Sequence, residues 1–334
     1  MAPRTAGRAD VSGPVGVLVM AYGTPSSVSE IEPYYTHIRR GRPPEPHQLA
    51  DLIARYEAIG GISPLAARTE AQRSAIAAAL EARWPGRFLV GLGQKHAAPF
   101  IEDGVAALVD AGATSIVGVV LAPHFSGFSV GQYHARGAAA AAEHDVPFDG
   151  VDHWYDLPEF VAHQGAALRA TLAEMPERTK VVFTAHSLPE RVLVGDPYPD
   201  QLFASAAAIA GAAGLGRWAG WGVAWQSAGR TPEPWRGPDI LQVIDDLAAT
   251  GRADGIVVVP HGFTSDHLEV LYDVDIEARA RAAALGLQLG RPAVVNADET
   301  VMAALATRVA ATARDDASSA GDAAPGTDPG GAPR

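Results

Sequence analysis

Residues 15–25 read VGVLVMAYGTP, an apolar run that continues without alternation into a short turn holding Tyr22. The same shape returns at 115–124 (SIVGVVLAPH), 180–189 (KVVFTAHSLP) and 255–263 (GIVVVPHGF). A strand with one wet face alternates apolar and polar residues, so unbroken runs of this kind predict parallel strands covered by helices on both faces. Between them, stretches such as IEDGVAALVDAG (101–112) and PDILQVIDDLAATG (238–251) carry helical spacing. The chain therefore reads as repeated βα units of the α/β class, and the paired turns predict two similar halves, 14–150 and 151–296. Ligands of open parallel sheets gather beyond the carboxyl ends of the strands, so the turns with Tyr22, His124, His186 and His261 are expected to face one cleft.

The rest of the composition agrees with a globular protein. The 334 residues are enough for about two domains. Hydrophobic residues make up 48% and charged residues 19%, which excludes a wholly disordered chain. Twenty-six basic against thirty-eight acidic residues gives a net charge of −12, the wrong sign for nucleic acid or anionic lipid as a general partner. No cysteine is present. Disulfides, thiolate metal sites, cysteine nucleophiles and a cysteine-held iron–sulfur cluster are thereby excluded, and any metal must meet His, carboxylate or Tyr. No apolar run approaches the roughly 18 residues that span a bilayer, and the first 14 residues lack a signal-like apolar region, so a cytoplasmic protein without membrane insertion is expected. Residues 1–13 and 314–334 are polar and aperiodic and are expected to be disordered.

Three groups of residues carry candidate chemistry. In TSDHLEVLYDVDIEARA (264–280), Glu269, Asp273 and Glu277 fall at i, i+4 and i+8, within roughly an 80° arc of an α-helix. Like charges so placed oppose the helix unless solvent screens them or a cation compensates them. The competing readings are a solvated face and a capping box between Asp266 and Glu269. The second group is His186, at the end of an apolar strand, where an imidazole of ordinary pKa, about 6.5, serves as base or neutral ligand; a merely structural histidine is the alternative. Paired with a carboxylate from another strand end, it suits Fe2+ and can accept protons. The third is the basic set Arg39, Arg40 and Arg42, with Arg55, Lys95 and His96 further on, suited either to an anionic substrate or to solvent. Two weaker patterns also appear. GFSVG (127–131) has the form of a nucleophile elbow on Ser129 but does not directly follow its strand, and GLGQKH (91–96) holds only two glycines of a dinucleotide fingerprint.

Taken together, MAYGTP, YYTHIRRGRPPEP, RYEAIGGISPL, LAPHFSGFSV, AHSLPERV, GDPYPDQL, WQSAGRTPEPWRGPD and GFTSDHLEVLYDVDIE resemble the ferrochelatases over residues 15 to about 310. The tyrosine of MAYGTP brings the resemblance closest to the coproporphyrin branch of Gram-positive and actinobacterial haem synthesis. The resemblance implies two similar Rossmann-like, chelatase-type domains, each a parallel sheet flanked by helices, with the active-site cleft between them and a C-terminal helix (297–313) packing back on the first. It implies insertion of Fe2+ into coproporphyrin III, with protoporphyrin IX as the alternative substrate, and no organic cofactor. His186 and Glu269 are then expected to face each other across the macrocycle as the metal- and proton-handling pair, with Tyr22 on the other face as axial ligand of product iron. Arg39, Arg55, Tyr56, Ser63 and Tyr133, with Tyr22, are expected to contact the porphyrin and its propionates. Asp273 and Glu277 would continue Glu269 as an outer acidic line able to hold hydrated Mg2+. His261 stands where an apolar residue is expected, and a second imidazole near the metal route follows from that. The resemblance further implies a monomer that docks transiently with a downstream coproheme enzyme. A porphyrin or haem carrier without turnover, and a serine hydrolase using Ser129, are the readings from other classes.

Overall fold

The computed structural model describes residues 13–216, 220–229 and 231–319, with side chains as far as 313. Residues 1–12 and 320–334, where most of the expected disorder falls, lie outside the described residues.

The four runs form strands as expected, each leading a four-stranded parallel sheet or joining one. The first sheet holds β1 (Val15–Ala21), β2 (Phe88–Gln94), β3 (Ser115–Val120) and β4 (Phe148–Val151), in the order β2-β1-β3-β4. The second holds β5 (Thr179–His186), β6 (Trp221–Gln226), β7 (Gly255–Val259) and β8 (Gln288–Gly290), in the order β6-β5-β7-β8. The two orders are the same. Register runs in parallel from Val15 against Phe88 on one side of β1 and Ser115 on the other. In each half the strand order reverses beside the first strand, which opens a crevice at its carboxyl end. Tyr22 directly follows β1, and His186 is the last residue of β5. The two residues therefore occupy equivalent places in the two halves.

Helices cover both faces. The first half contributes α1 (Ile31–Ile38), α2 (Pro46–Ala58), α3 (Leu65–Arg83), α4 (Ile101–Asp110) and α5 (Val130–Ala142). Then come α6 (Pro158–Leu172), α7 (Tyr198–Ala212), α8 (Ile240–Thr250), α9 (Arg279–Ala284) and α10 (Glu299–Ser319). One continuous core joins the two sheets: Val17, Val19 and Val117 pack through Ile76, Trp154 and Phe160 to Val181, Phe183 and Val257. Trp154, fully buried, donates its indole N–H to Val120 O at 3.0 Å, which satisfies the polar edge of the ring inside the core.

α10 returns from the second half to the first. Val301, Met302, Leu305 and Val309 are buried in the core with Ile76 and Leu80 of α3, and Arg83 donates to Thr307 Oγ1 at 3.2 Å. The helix continues to Ser319, six residues into the stretch expected as a disordered tail. The physical reason is that RDDASS (314–319) contains neither Gly nor Pro to stop it.

Candidate active site

Between the two carboxyl edges lies a cleft of about 1260 Å3, bordered by both halves. That exceeds the roughly 300–1,000 Å3 of an ordinary small-molecule pocket and suits a flat ligand the size of a macrocycle. Its walls include Tyr22, Arg39, Arg55, Tyr56, Ser63 and Tyr133 from the first half. His186, Glu269, Asp273 and Glu277 come from the second. Every expected site residue thus reaches one cavity, although the first and last of them stand 255 positions apart in sequence (22 to 277).

His186 is placed by β5, which delivers its ring to the cleft floor. The Nδ1–H donates to the carbonyl of Ser187, so Nε2 is the nitrogen that gains or loses a proton. Nε2 stands 3.6 Å from Glu269 Oε1. On the other side of the carboxylate, Glu269 Oε2 stands 3.6 Å from Nε2 of His267, whose Nδ1–H donates to Ser265 O at 3.0 Å. Glu269 therefore sits between two imidazoles anchored in the same way. Sequence reasoning passed over His267, although its place two residues before Glu269 was visible. Gly262 makes room for this arrangement: a Cβ there would meet Ala185 Cβ at 2.5 Å, so only glycine lets the loop after β7 close on the end of β5.

The 3.6 Å separation corrects one expectation. A ring held between two groups needs about 7 Å, twice the optimal contact distance of about 3.5 Å. His186 and Glu269 do not face each other across a macrocycle; they stand side by side on one wall. The charge state departs from expectation as well. Burial pushes the His186 imidazole down, but the Glu269 carboxylate, the Ser187 carbonyl and Asp273 outweigh it and raise it to about 9. Burial likewise pushes Glu269 up, and the cationic His186, with the His267 ring on its other side, holds it far below the usual carboxylate range. At neutral pH the pair is imidazolium and carboxylate, where a neutral His186 was expected.

Asp273 and Glu277 lie on a π-helix, Val270–Ala278, and not on an α-helix, with Glu269 immediately before it. The wider winding, with i→i+5 bonds, still leaves Glu269, Asp273 and Glu277 on the cleft wall. The capping box does not form, because Asp266 bonds Asn296 and Arg291 instead. Asp273 is buried, accepts from Ser227 Oγ, and takes an ion pair at 3.2 Å from Arg55 of α2. Burial and the nearby Glu269 push its carboxyl up to about 6, so it exchanges protons near neutrality. Arg55 also lies over the Tyr272 ring at 4.6 Å. The expected propionate contact is thus engaged across the cleft with the acidic line, which leaves little need for a second cation there.

On the opposite wall Tyr22 exposes 43% of its surface to the cleft. Burial by the surrounding walls, the Glu269 charge and Tyr56 push its phenol up, so it stays protonated at neutral pH. Gly23, with φ +90, turns the chain immediately after it. Tyr56 is buried, with its hydroxyl 3.4 Å from Thr24 Oγ1, and Ser63 Oγ accepts from Leu65 N at 3.2 Å. Arg39 lies over Tyr35 at 5.6 Å, and Lys95 lies over Tyr133 at 5.0 Å while donating to Gln132. Burial, with Arg136 and Arg40 nearby, pushes Lys95 down to about 8. Arg40 and His96 also border the cleft, whereas Arg42 is not among the lining residues.

His261 is a second correction. It is wholly buried beneath the cleft, not in it, and burial pushes it down to about 4. A carbonyl only accepts, so its Nε2–H donates to Leu202 O at 3.0 Å and pins α7; it meets His124 edge-on at 5.3 Å. His261→Val is expected to cost about 1–2 kcal/mol in urea denaturation and to leave kcat unchanged. A large fall in kcat with intact stability would return it to the metal route. The two weak patterns also resolve. Gly91 and Gly93 lie inside β2 and admit Leu108 and Ile101, so they serve packing. Ser129 precedes α5 with no histidine hydrogen-bonded to its Oγ among the described residues.

The profile of the ferrochelatase family matches residues 14–313. The chain belongs to the ferrochelatase family. Among similar ferrochelatases, the coproporphyrin III ferrochelatase of Bacillus subtilis is 47% identical over 302 residues, 88% of this chain and 96% of that one. That of Geobacillus kaustophilus is 46% identical over 301 residues, covering 88% and 94%. The ferrochelatase fold seen here is also that of two solved chelatases. SirB from Bacillus subtilis with Fe3+ has a TM-score of 0.55 at 14% identity, covering 92% of this chain and 98% of that one. The cobalt complex of the sirohydrochlorin chelatase SirB from Bacillus subtilis subspecies spizizenii has a TM-score of 0.51 at 15%, with the same coverage. Among the described residues no helix is long and apolar enough to cross a membrane, and no three His, Cys, Asp or Glu side chains are arranged to hold a metal ion.

Proposed function

We propose that the protein is a coproporphyrin ferrochelatase: it takes Fe2+ and coproporphyrin III and yields coproheme with release of two protons. The observation that carries this reading is the His186–Glu269 ion pair set in the floor of a macrocycle-sized cleft. Two pyrrole N–H bonds must break as two of the iron–nitrogen bonds form, so the site has to accept charge and pass protons on. With His186 near pKa 9, roughly one imidazole in a hundred is neutral at pH 7. We assign the first step to the arriving dication, whose charge drives the His186 proton off Nε2 and frees that nitrogen as ligand or base. Glu269 holds the imidazole in place. Asp273, titrating near neutrality, passes protons outward toward Glu277. Because Arg55 already compensates Asp273, we assign this line to protons and not to a hydrated Mg2+. To Tyr22, protonated on the opposite wall, we assign the oxygen ligand of the product iron.

The substrate follows from charge. Arg39, Arg40 and Lys95 border the cleft on the first-half wall, a cluster of cations on a chain whose net charge is −12 and suited to the carboxylates of coproporphyrin. The two similar relatives carry that substrate in their names. Since one chain supplies both walls, we take the protein to act as a monomer that passes its product to a coproheme-using enzyme by transient docking.

An anaerobic assay with Fe2+, following replacement of free-base by metalloporphyrin bands, tests the reading. We expect kcat/KM at least about tenfold higher for coproporphyrin III than for protoporphyrin IX, since one charged hydrogen bond contributes about 1.5–3 kcal/mol. A higher value for protoporphyrin IX would overturn the substrate assignment. Stoichiometric binding with no turnover would make the protein a carrier.

A further inference from the structure

The segment that carries the acids, Glu269 and the π-helix after it, is braced from outside the cleft. Arg291, directly after β8 and only 15% exposed, puts Nη1 3.2 Å from Asp266 Oδ1 and Nε 2.7 Å from Asp275 Oδ1. Asp266 lies three residues before Glu269, and Asp275 lies within the helix, midway between Asp273 and Glu277. One rigid guanidinium thus spans the segment that holds Glu269 and Asp273. Asp266 is itself fixed: its N–H donates to Asn296 Oδ1 at 3.0 Å and its Oδ2 accepts from Asn296 Nδ2 at 2.9 Å. Asn296 O in turn accepts from Gln72 of α3 at 2.9 Å, and Gln72 Oε1 accepts from Ser265 Oγ at 3.0 Å. Gln72 is wholly buried and belongs to the first half. The anchor before the helix is therefore tied to the opposite wall of the cleft.

Such a brace has a physical purpose. A π-helix is rare and short because its bonding competes poorly with α-helical winding, and nothing in VLYDVDIEA forbids the tighter form. Fixing points on either side of Glu269 sets how many residues lie between them and hence the winding. We propose that Arg291 is a positioning residue for metal insertion, holding the entry segment from Asp266 and the π-helix at Asp275 in fixed relation so that Glu269 stays against His186 and Asp273 stays in line behind it. The role rests on the chelatase reading of the same site. Arg279, which reaches Asp275 at 3.4 Å from a half-exposed place, spans no second carboxylate and does not share it.

Arg291→Met and Arg291→Lys, with Arg279→Ala as control, test the proposal in the full chain. A displacement near 1 Å at a reacting group lowers rate by about 10²-fold. We expect kcat for iron insertion to fall at least about tenfold in Arg291→Met with KM for the porphyrin little changed, because the substrate walls are untouched. Arg291→Lys, which keeps the charge but reaches one carboxylate at a time, should fall between it and the wild type. The visible absorption spectrum of bound Co2+, used as probe metal, should change in Arg291→Met and stay unchanged in Arg279→Ala. A folded Arg291→Met with wild-type kcat and Co2+ spectrum overturns the proposal, and so does loss of thermal stability alone. If Arg291→Met does not fold, Arg291→Lys decides by the same two readouts. Were the wild type to insert no iron, the function assignment would fall, while the Co2+ spectra would still decide the brace.

Discussion

His186→Ala is expected to lose about 10²–10⁴ in kcat for iron insertion, with affinity for the porphyrin and the fold retained. The magnitude is that of losing a positioned proton-transfer group, and in the proposed mechanism the same nitrogen also meets the metal. Binding should survive because the cations and hydroxyls proposed to hold the porphyrin line the other wall. Stability should change little. Breaking a buried ion pair costs about 3–5 kcal/mol, but the His186 and Glu269 side chains expose 36% and 34% to the cleft, so solvent screens the carboxylate left behind. A change within about 1 kcal/mol is therefore expected from thermal denaturation. Fluorescence quenching of the free-base porphyrin measures binding, and the anaerobic assay measures turnover. Near-full turnover in this variant would remove His186 from the mechanism.

The second large effect is on metal binding against pH. In the wild type, metal reaching His186 must displace a proton whose pKa is about 9. Affinity for Co2+ or Fe2+ should therefore rise about tenfold per pH unit from neutrality up to about pH 9, then level off, with close to one proton released per metal below that point. The sign follows from the raised pKa: below it His186 is protonated and the proton competes with metal, while above it the nitrogen is free. In Glu269→Gln the charge that most raises His186 is gone while burial still opposes its protonation, so its pKa falls from about 9 back toward the ordinary value of about 6.5. The affinity of that variant, lower throughout for want of a carboxylate, should be nearly flat from pH 7 to 9. Calorimetric titration in two buffers of different ionisation enthalpy measures both affinity and proton release. A wild-type curve flat across that range would show that His186 is neutral and that the pair is not coupled as described.

How far the sequence speaks depends on the range of the interaction involved. The two sheets were legible because burial on both faces leaves a local mark, an apolar run such as residues 15–20, that needs no knowledge of the partner strand. Tyr22 and His186 were legible for a related reason: residues at strand ends in such sheets have a known destination. The acidic line was visible as spacing, but its winding was not, since π- and α-helices both accept acids four residues apart and the choice rests on Arg291 reaching Asp266 and Asp275. The Arg55–Asp273 pair joins residues 218 positions apart and follows no pattern a single sequence carries. His261 misled because a histidine after a strand reads alike whether it turns toward the cleft or, as here, inward to a carbonyl of α7. The charge of His186 was misread for want of a distance to Glu269.

The return of α10 onto α3 has a consequence for synthesis. The face of α3 that buries Ile76 and Leu80 is covered by Val301, Met302, Leu305 and Val309, more than 200 residues later in the chain. On the ribosome, at about 5–20 residues per second, the first half must wait more than ten seconds with that apolar face uncovered. Its folding is therefore completed last, although it emerges first. Nascent chains stalled before residue 300 should engage chaperones, and a stop codon in α10 should lower the soluble yield of the entire protein even though every residue of the cleft has already been made.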